Sequence, residues 1–314
     1  MKLNILELNM MKKIGLAAAV LLAMTGAHAY QFEVQGQSEY VNTTENDKNF
    51  TGDLQGTYYF KDVDASKGPL AEAAFLNKAS NVSVAYTYEQ YNQQNGNLNY
   101  HVGTYGLKGE TYFTTPYTSS IPLYASASYN HTDADGKNAD SPDNKGDRYA
   151  LEVGAMPTDN FLLAVGYTRT NPLALDTSDV LSYGIAKAYG ESAYSDHKDF
   201  TTARAKYVGA IDGTNMSLGF EAKGIFNSDR GAYSLKTDLF LNPALSVGVS
   251  FADTSNLDSG FDHVWGANVN YFVTPAISVG ATYVKANAKN DIANSSTPSF
   301  GDTDTVGLNA SVRF

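Results

Sequence analysis

The sequence predicts an all-β fold, a transmembrane antiparallel β-barrel of about 14 strands with short periplasmic turns and long extracellular loops. Three observations carry this. Apolar residues alternate with small or polar ones along most of the chain, as strands with one face in lipid and one in water require. The last ten residues show the pattern: Val306, Leu308, Ala310, Val312 and Phe314 alternate with Thr305, Gly307, Asn309, Ser311 and Arg313. The N-terminus reads as an export signal, and the connections between alternating segments are by turns short and long.

Residues 11–29 begin Met-Lys-Lys, continue with an apolar run from Ile14 to Met24, and end Ala27-His28-Ala29, the three regions of a secretory signal peptide. The run is shorter than the roughly 20 residues of a membrane anchor. Residues 1–29 are therefore expected to be cleaved, leaving an outer-membrane barrel at 30–314 that begins with Tyr30. Residues 1–10 read as an extension from a start placed upstream of Met10 or Met11.

Fourteen alternating segments follow, at roughly 30–41, 50–60, 81–91, 99–113, 122–132, 148–156, 161–169, 200–208, 215–226, 232–241, 245–253, 263–272, 276–286 and 303–314. An even number places both termini on the periplasmic side. In the first, Phe32, Val34, Gly36, Ser38 and Tyr40 share the face opposite Gln31, Glu33, Gln35, Gln37 and Glu39, so the acidic face lines the lumen. Pro- and Asn-containing turns at 156–160, 241–244 and 273–276 belong on the periplasmic rim. The polar stretches 133–147, 170–199 and 287–302 belong outside the cell. One periplasmic link, 61–80, is long, and Pro69 followed by good helix formers predicts a short helix there.

Composition narrows the function. There are no cysteines, so disulfides and thiolate metal sites play no part. Removing residues 1–29 takes three lysines and one glutamate from 22 basic and 33 acidic residues, leaving 19 against 32 and a formal charge of −13. A nucleic-acid partner does not fit that sign. The 22 tyrosines exceed the 15 phenylalanines, which suits girdles at the two headgroup levels.

Several segments resemble a known family: Lys61-Asp-Val-Asp-Ala-Ser-Lys-Gly-Pro-Leu-Ala-Glu-Ala-Ala-Phe-Leu-Asn-Lys78, Tyr207-Val-Gly-Ala-Ile-Asp-Gly-Thr-Asn-Met-Ser-Leu-Gly-Phe-Glu221 and Leu241-Asn-Pro-Ala-Leu-Ser-Val-Gly248. They are similar to the outer-membrane porins of Acinetobacter and its relatives, and within that family to its carbapenem-associated channel. The resemblance covers nearly all of the mature chain. It implies a fourteen-stranded porin narrowed by its extracellular loops, with Phe314 as a signal to the outer-membrane assembly machinery. The acidic outer loops are where departure is expected, so solute preference does not carry over.

Catalysis finds little support. The mature chain has only His101, His131, His197 and His263, with His131 and His263 read as strand-to-loop junctions and none in a nucleophile motif. Asp133, Asp135 and Asp140 are spaced like a calcium loop, but the glycine comes too early and no glutamate closes it, so a solvated loop is favoured. No metal or other cofactor is expected.

The functional signal lies in inward-facing charge, tolerated at membrane depth only beside water or a partner. The expected pore-lining set is Glu33, Asp53, Glu110, Arg148, Arg204, Lys206, Glu221, Lys223, Lys236 and Asp238, with Glu39, Glu89 and Glu152 on the same faces. Acids predominate in the early strands and bases in the later ones. Two arrangements fit: opposed walls producing a transverse field, or salt bridges that plug the lumen. The stretch 170–199 is long enough to have structure of its own, and folding it inward would make Leu181, Tyr183, Ile185 and Tyr189 a constriction.

These features predict a porin for passive diffusion of small polar solutes, embedded in outer-membrane lipid and lipopolysaccharide, its oligomeric state unspecified. The alternative is a surface barrel acting mainly as an adhesin or host-contact protein.

Overall fold

The computed structural model describes residues 29–43, 49–92, 99–118, 120–136, 144–170, 176–177, 198–228, 231–255, 261–288 and 302–314. These residues form fourteen strands: β1 Ala29–Thr43, β2 Asn49–Asp64, β3 Asn81–Asn92, β4 Asn99–Phe113, β5 Leu123–Gly136, β6 Asn144–Thr158, β7 Phe161–Thr170, β8 Lys198–Ala210, β9 Ser217–Phe226, β10 Gly231–Asn242, β11 Leu245–Ser255, β12 Phe261–Thr274, β13 Ile277–Ala288 and β14 Thr303–Arg313. Each pairs antiparallel with its neighbour in sequence, and β1 pairs with β14 to close the barrel. Closure leaves no sheet edge, so every strand can satisfy its backbone hydrogen bonds in lipid.

Burial is inverted relative to a soluble domain. Val84, Leu151 and Leu308 are about 60% exposed or more, whereas Thr87, Asn130 and Asn270 are buried to within 2%. Only an apolar solvent outside and a polar lumen inside make that distribution favourable. Aromatic rings band the outer wall at both ends. Phe32 touches Tyr58 and Phe314 at one, and Tyr86–Tyr105, Tyr129–Tyr149 and Phe251–Trp265 pair at the other. At the second band tyrosine hydroxyls donate to outward aspartates: Tyr129 to Asp147 at 2.7 Å, Tyr167 to Asp199 at 2.5 Å and Tyr283 to Asp304 at 2.5 Å. The apolar ring and wet tip of tyrosine fit such a boundary.

Strands run longer than the sequence implies. Residues 133–136 and 144–147, expected in an outer loop, continue β5 and β6, and Asp133 pairs with Lys145 at 3.0 Å across that hairpin. His131 and His263 accordingly lie within β5 and β12 rather than at junctions. A membrane needs only about 9–11 residues per strand, so hairpins of 14 and 15 residues project beyond it. A bulge between Tyr30 and Phe32 turns Tyr30 inward.

At the closing seam Phe314 accepts hydrogen bonds from the amides of Gln31 and Phe32 at 3.0 and 2.8 Å, and donates to the Phe32 carbonyl at 2.9 Å. Its ring stacks on Phe32 with centroids 5.6 Å apart. The last residue thus ties the last strand to the first.

Candidate functional site

The link between β2 and β3 does not hang below the barrel. After Pro69 in extended geometry it forms a 3-10 turn, Leu70–Glu72, and a one-turn helix α1, Ala73–Leu76. Gly68, at φ 96°, begins the reversal, and a Cβ there would come within 2.8 Å of a Leu76 methyl. Lys78 adopts φ 50°, with its amide bonded to the Phe75 carbonyl and that of Ala79 to Ala74, a Schellman stop. The local sequence thus sets a compact knot with Leu70, Glu72 and Phe75 projecting from it.

Those side chains reach the far side of the ring. Phe75 packs among Tyr124, Met156, Leu162, Val208 and Phe240, from β5 to β10. Glu72 pairs with Lys206 of β8 at 2.8 Å, and the Lys206 ammonium lies 4.8 Å from the centre of the Phe75 ring. The Leu70 amide donates to the Pro243 carbonyl in the β10–β11 turn, and its carbonyl accepts from Arg313 of β14, both at 2.8 Å. In a fourteen-strand ring β3 and β10 are diametrically opposed, so the segment bridges the lumen near its periplasmic end. Lys78 latches it to Asp159 in the β6–β7 turn at 2.8 Å, a contact that holds the Asp159 carboxyl below the usual range.

Above this plug many of the inward charges are paired. Arg204 donates to Glu221 at 3.1 Å, to Glu152 at 3.2 Å and to the Tyr124 hydroxyl at 3.3 Å, and Tyr124 donates to Glu110, which also binds Lys108 at 2.9 Å. Lys236 pairs with Asp238 at 3.1 Å. Glu33 accepts from Arg313 at 2.8 Å and from Tyr59 at 2.9 Å. The Arg313 guanidinium sits between the rings of Tyr30 and Phe272. A cavity of about 130 Å³ remains beside Glu152, Arg148, Arg204 and Lys223. That holds a few waters, at about 30 Å³ each. A wider hollow, about 1010 Å³, lies on the outer wall, where small residues such as Ala203 and Ala205 lie between Leu163 and Leu235. It faces lipid and offers nothing to recognise a polar solute.

Toward the extracellular end residues 176 and 177, between β7 and β8, also enter the barrel. Asp176 pairs with Arg148 at 2.8 Å, and the Thr177 hydroxyl donates to Asn130 at 2.9 Å, all four residues buried. Gly106 on β4 makes room: a Cβ there would run into Thr177 and Asn130.

Of the ten charges singled out from the sequence, the structure joins Glu33, Glu110, Arg148, Arg204 and Lys206 to residues that the sequence did not mark: Arg313, Lys108, Tyr124, Asp176 and Glu72. Arg313 could have been found, since alternation places it opposite the lipid-facing Phe314. Glu72 had no such signal. Leu181, Tyr183, Ile185, Tyr189, His197 and residues 1–28 of the expected signal segment lie outside the described residues. The described histidines stand beside aspartates on the outer wall, His131 with Asp147 and His101 with Asp135. Among the described residues no group of three or more His, Asp or Glu side chains is placed to hold a metal ion.

Comparison with known proteins agrees with this architecture. The profile of the family described as "Putative general bacterial porin" matches residues 6–314. The Acinetobacter baumannii outer membrane protein Omp33 is 52% identical over 91% of this chain and 99% of its own, with a TM-score of 0.65. Two remoter barrels show likeness of fold alone: a Pseudomonas aeruginosa FadL homologue (12% identity, 91% and 90% coverage, TM-score 0.50) and the Pseudomonas putida toluene transporter TodX (7%, 90% and 88%, 0.51). No curated protein matches. With its family profile, its barrel and its half-identical structural neighbour in agreement, the chain belongs to this family of general bacterial porins and is an outer-membrane channel of the Gram-negative type.

Proposed function

We propose that the protein passes small polar solutes by passive diffusion through a narrow channel closed at two levels. Export through a cleaved signal peptide precedes its assembly in outer-membrane lipid and lipopolysaccharide. The observation that carries the reading is the segment 65–80, which crosses the lumen and is held there by the apolar seat of Phe75 and a few polar contacts. Opening requires its displacement, with Glu72–Lys206 and Arg313–Leu70 as the contacts to break. The second level is the β7–β8 connection, which Asp176 and Thr177 draw inward. The rest of 170–199, with Leu181, Tyr183, Ile185 and Tyr189, continues that constriction.

Single-channel recording in planar bilayers tests this. Wild-type protein gives small, intermittent steps, and replacing residues 179–195 with a short Gly/Ser linker enlarges them and speeds liposome swelling in bulky polar solutes. Unchanged steps in a folded deletion would remove the loop from the pathway. No conductance at all, with adhesion intact, would favour a surface-contact role.

A further inference from the structure

We propose that the inner wall of β1–β3 holds a site for the cationic group of a permeating solute, an ammonium or guanidinium, formed by Glu39, Asp53 and Glu89. The proposal rests on the channel reading above and names the solute class that such a channel favours.

The register builds the site. Glu39 lies across from Thr51, which lies across from Glu89, so the two glutamates flank one residue of β2 on the same inward row. In the adjacent inward row Gln37, Asp53 and Thr87 are aligned across the same strands. With strands about 4.8 Å apart and inward residues about 6.6 Å apart along a strand, the three carboxylates surround a space on the order of 10 Å wide. That is the size of a charged side-chain head. Gly307, opposite Glu39 on β14, makes room for it, since a Cβ there would come within 3.2 Å of the Glu39 side chain.

The other inward charges leave this set unmatched. Lys108, Arg148, Arg204, Lys206, Lys236 and Arg313 each pair with a carboxylate, and Lys223 faces Arg204 on the opposite wall. Among the described residues no basic side chain pairs with Glu39, Asp53 or Glu89. A cluster of acids alone would be weak ground, but neutral oxygens beside it are also unsatisfied. Gln37 is 5% exposed and directs its amide nitrogen to Glu39, leaving its carbonyl oxygen without a partner next to Asp53. The hydroxyls of Thr87 and, on β14, Thr305 are buried to 1% and lack a hydrogen bond of normal geometry, as do both Asp53 oxygens. Acceptors therefore outnumber donors. An ammonium brings three donors and a guanidinium five, with the complementary charge. With only neutral oxygens available beside three separated carboxylates, a multidonor organic cation fits better than a bare metal ion.

The test compares arginine, glutamate and neutral glutamine as permeants of the full chain in planar bilayers and liposomes. Wild type should favour arginine over glutamate, and the isosteric double variant Glu39→Gln/Asp53→Asn should lower that preference about tenfold, the low end of charge focusing in a cleft, with glutamine flux retained. The pair Asp253→Asn/Asp304→Asn, which removes equal charge from the outer face, should leave it unchanged. If the double variant loses heat-modifiable folding, Glu89→Gln makes the same comparison. Glutamine flux with an unaltered preference in the inward variants, or an equal shift in the outer pair, would overturn the site while sparing the channel. Absence of flux for all three solutes in wild type would overturn the channel and the site together.

Discussion

The β5–β10 wall and the β1–β3 wall of the lumen both carry ionisable groups, and they dispose of them differently. On the first, Arg204 is shared among Glu152, Glu221 and Tyr124, and Lys206 reaches across to Glu72. On the second, Glu39, Asp53 and Glu89 have no basic partner among the described residues and sit beside unsatisfied neutral oxygens. The difference teaches what each wall is for. Paired charges lose freedom and close space, so the first wall is structural and anchors the plug. Unpaired charges at membrane depth are costly unless something arrives to meet them, so the second is the wall that a solute uses.

Substitutions on the two walls should therefore have opposite consequences for stability. Arg204→Ala strands two largely buried carboxylates, and breaking such a pair costs about 3–5 kcal/mol. Asp53→Asn removes a buried charge that has no basic partner among the described residues and should leave stability unchanged or raise it. Urea unfolding followed by heat-modifiable mobility measures both, and equal losses would erase the distinction. A smaller effect is expected at the seam. Deleting Phe314 removes a stacked ring and three backbone hydrogen bonds, at about 1 kcal/mol per bond. Outer-membrane yield of the chain ending at Arg313 should fall, and normal yield and rate would exclude the role. Smallest is Glu72→Gln, which keeps the shape of the plug and weakens its bond to Lys206. Hydrogen bonds to charged groups contribute about 1.5–3 kcal/mol, so opening frequency in bilayers should rise on the order of tenfold. No rise would mean that the apolar seat of Phe75 holds the segment by itself.

Much of this was legible in the sequence because a barrel is written in local periodicity. Alternation gave β4 at its observed bounds, Asn99–Phe113, and put Glu33 and Asp53 on the inner face. It underestimated β5 and β6 because Asp133 and Lys145 look like loop residues by composition. They stay in the strands by pairing across the hairpin beyond the membrane. The helix after Pro69 was readable from its turn chemistry, but its path was not. The contacts of Leu70, Glu72 and Phe75 are made with residues far along the chain, and nothing local states their direction. Charge partners were hidden for the same reason: Glu33 meets Arg313 only because the barrel closes its two ends on each other.

The central claim is that the segment between β2 and β3 is what shuts the lumen at its periplasmic end. Replacing residues 66–78 with a short Gly/Ser linker, confirming the barrel by heat-modifiable mobility, and recording single channels puts it to the test. Steps larger and longer-lived than wild type are expected, because the bridge from β3 to β8 and β10 is gone. Small, intermittent wild-type steps from that folded variant would contradict it.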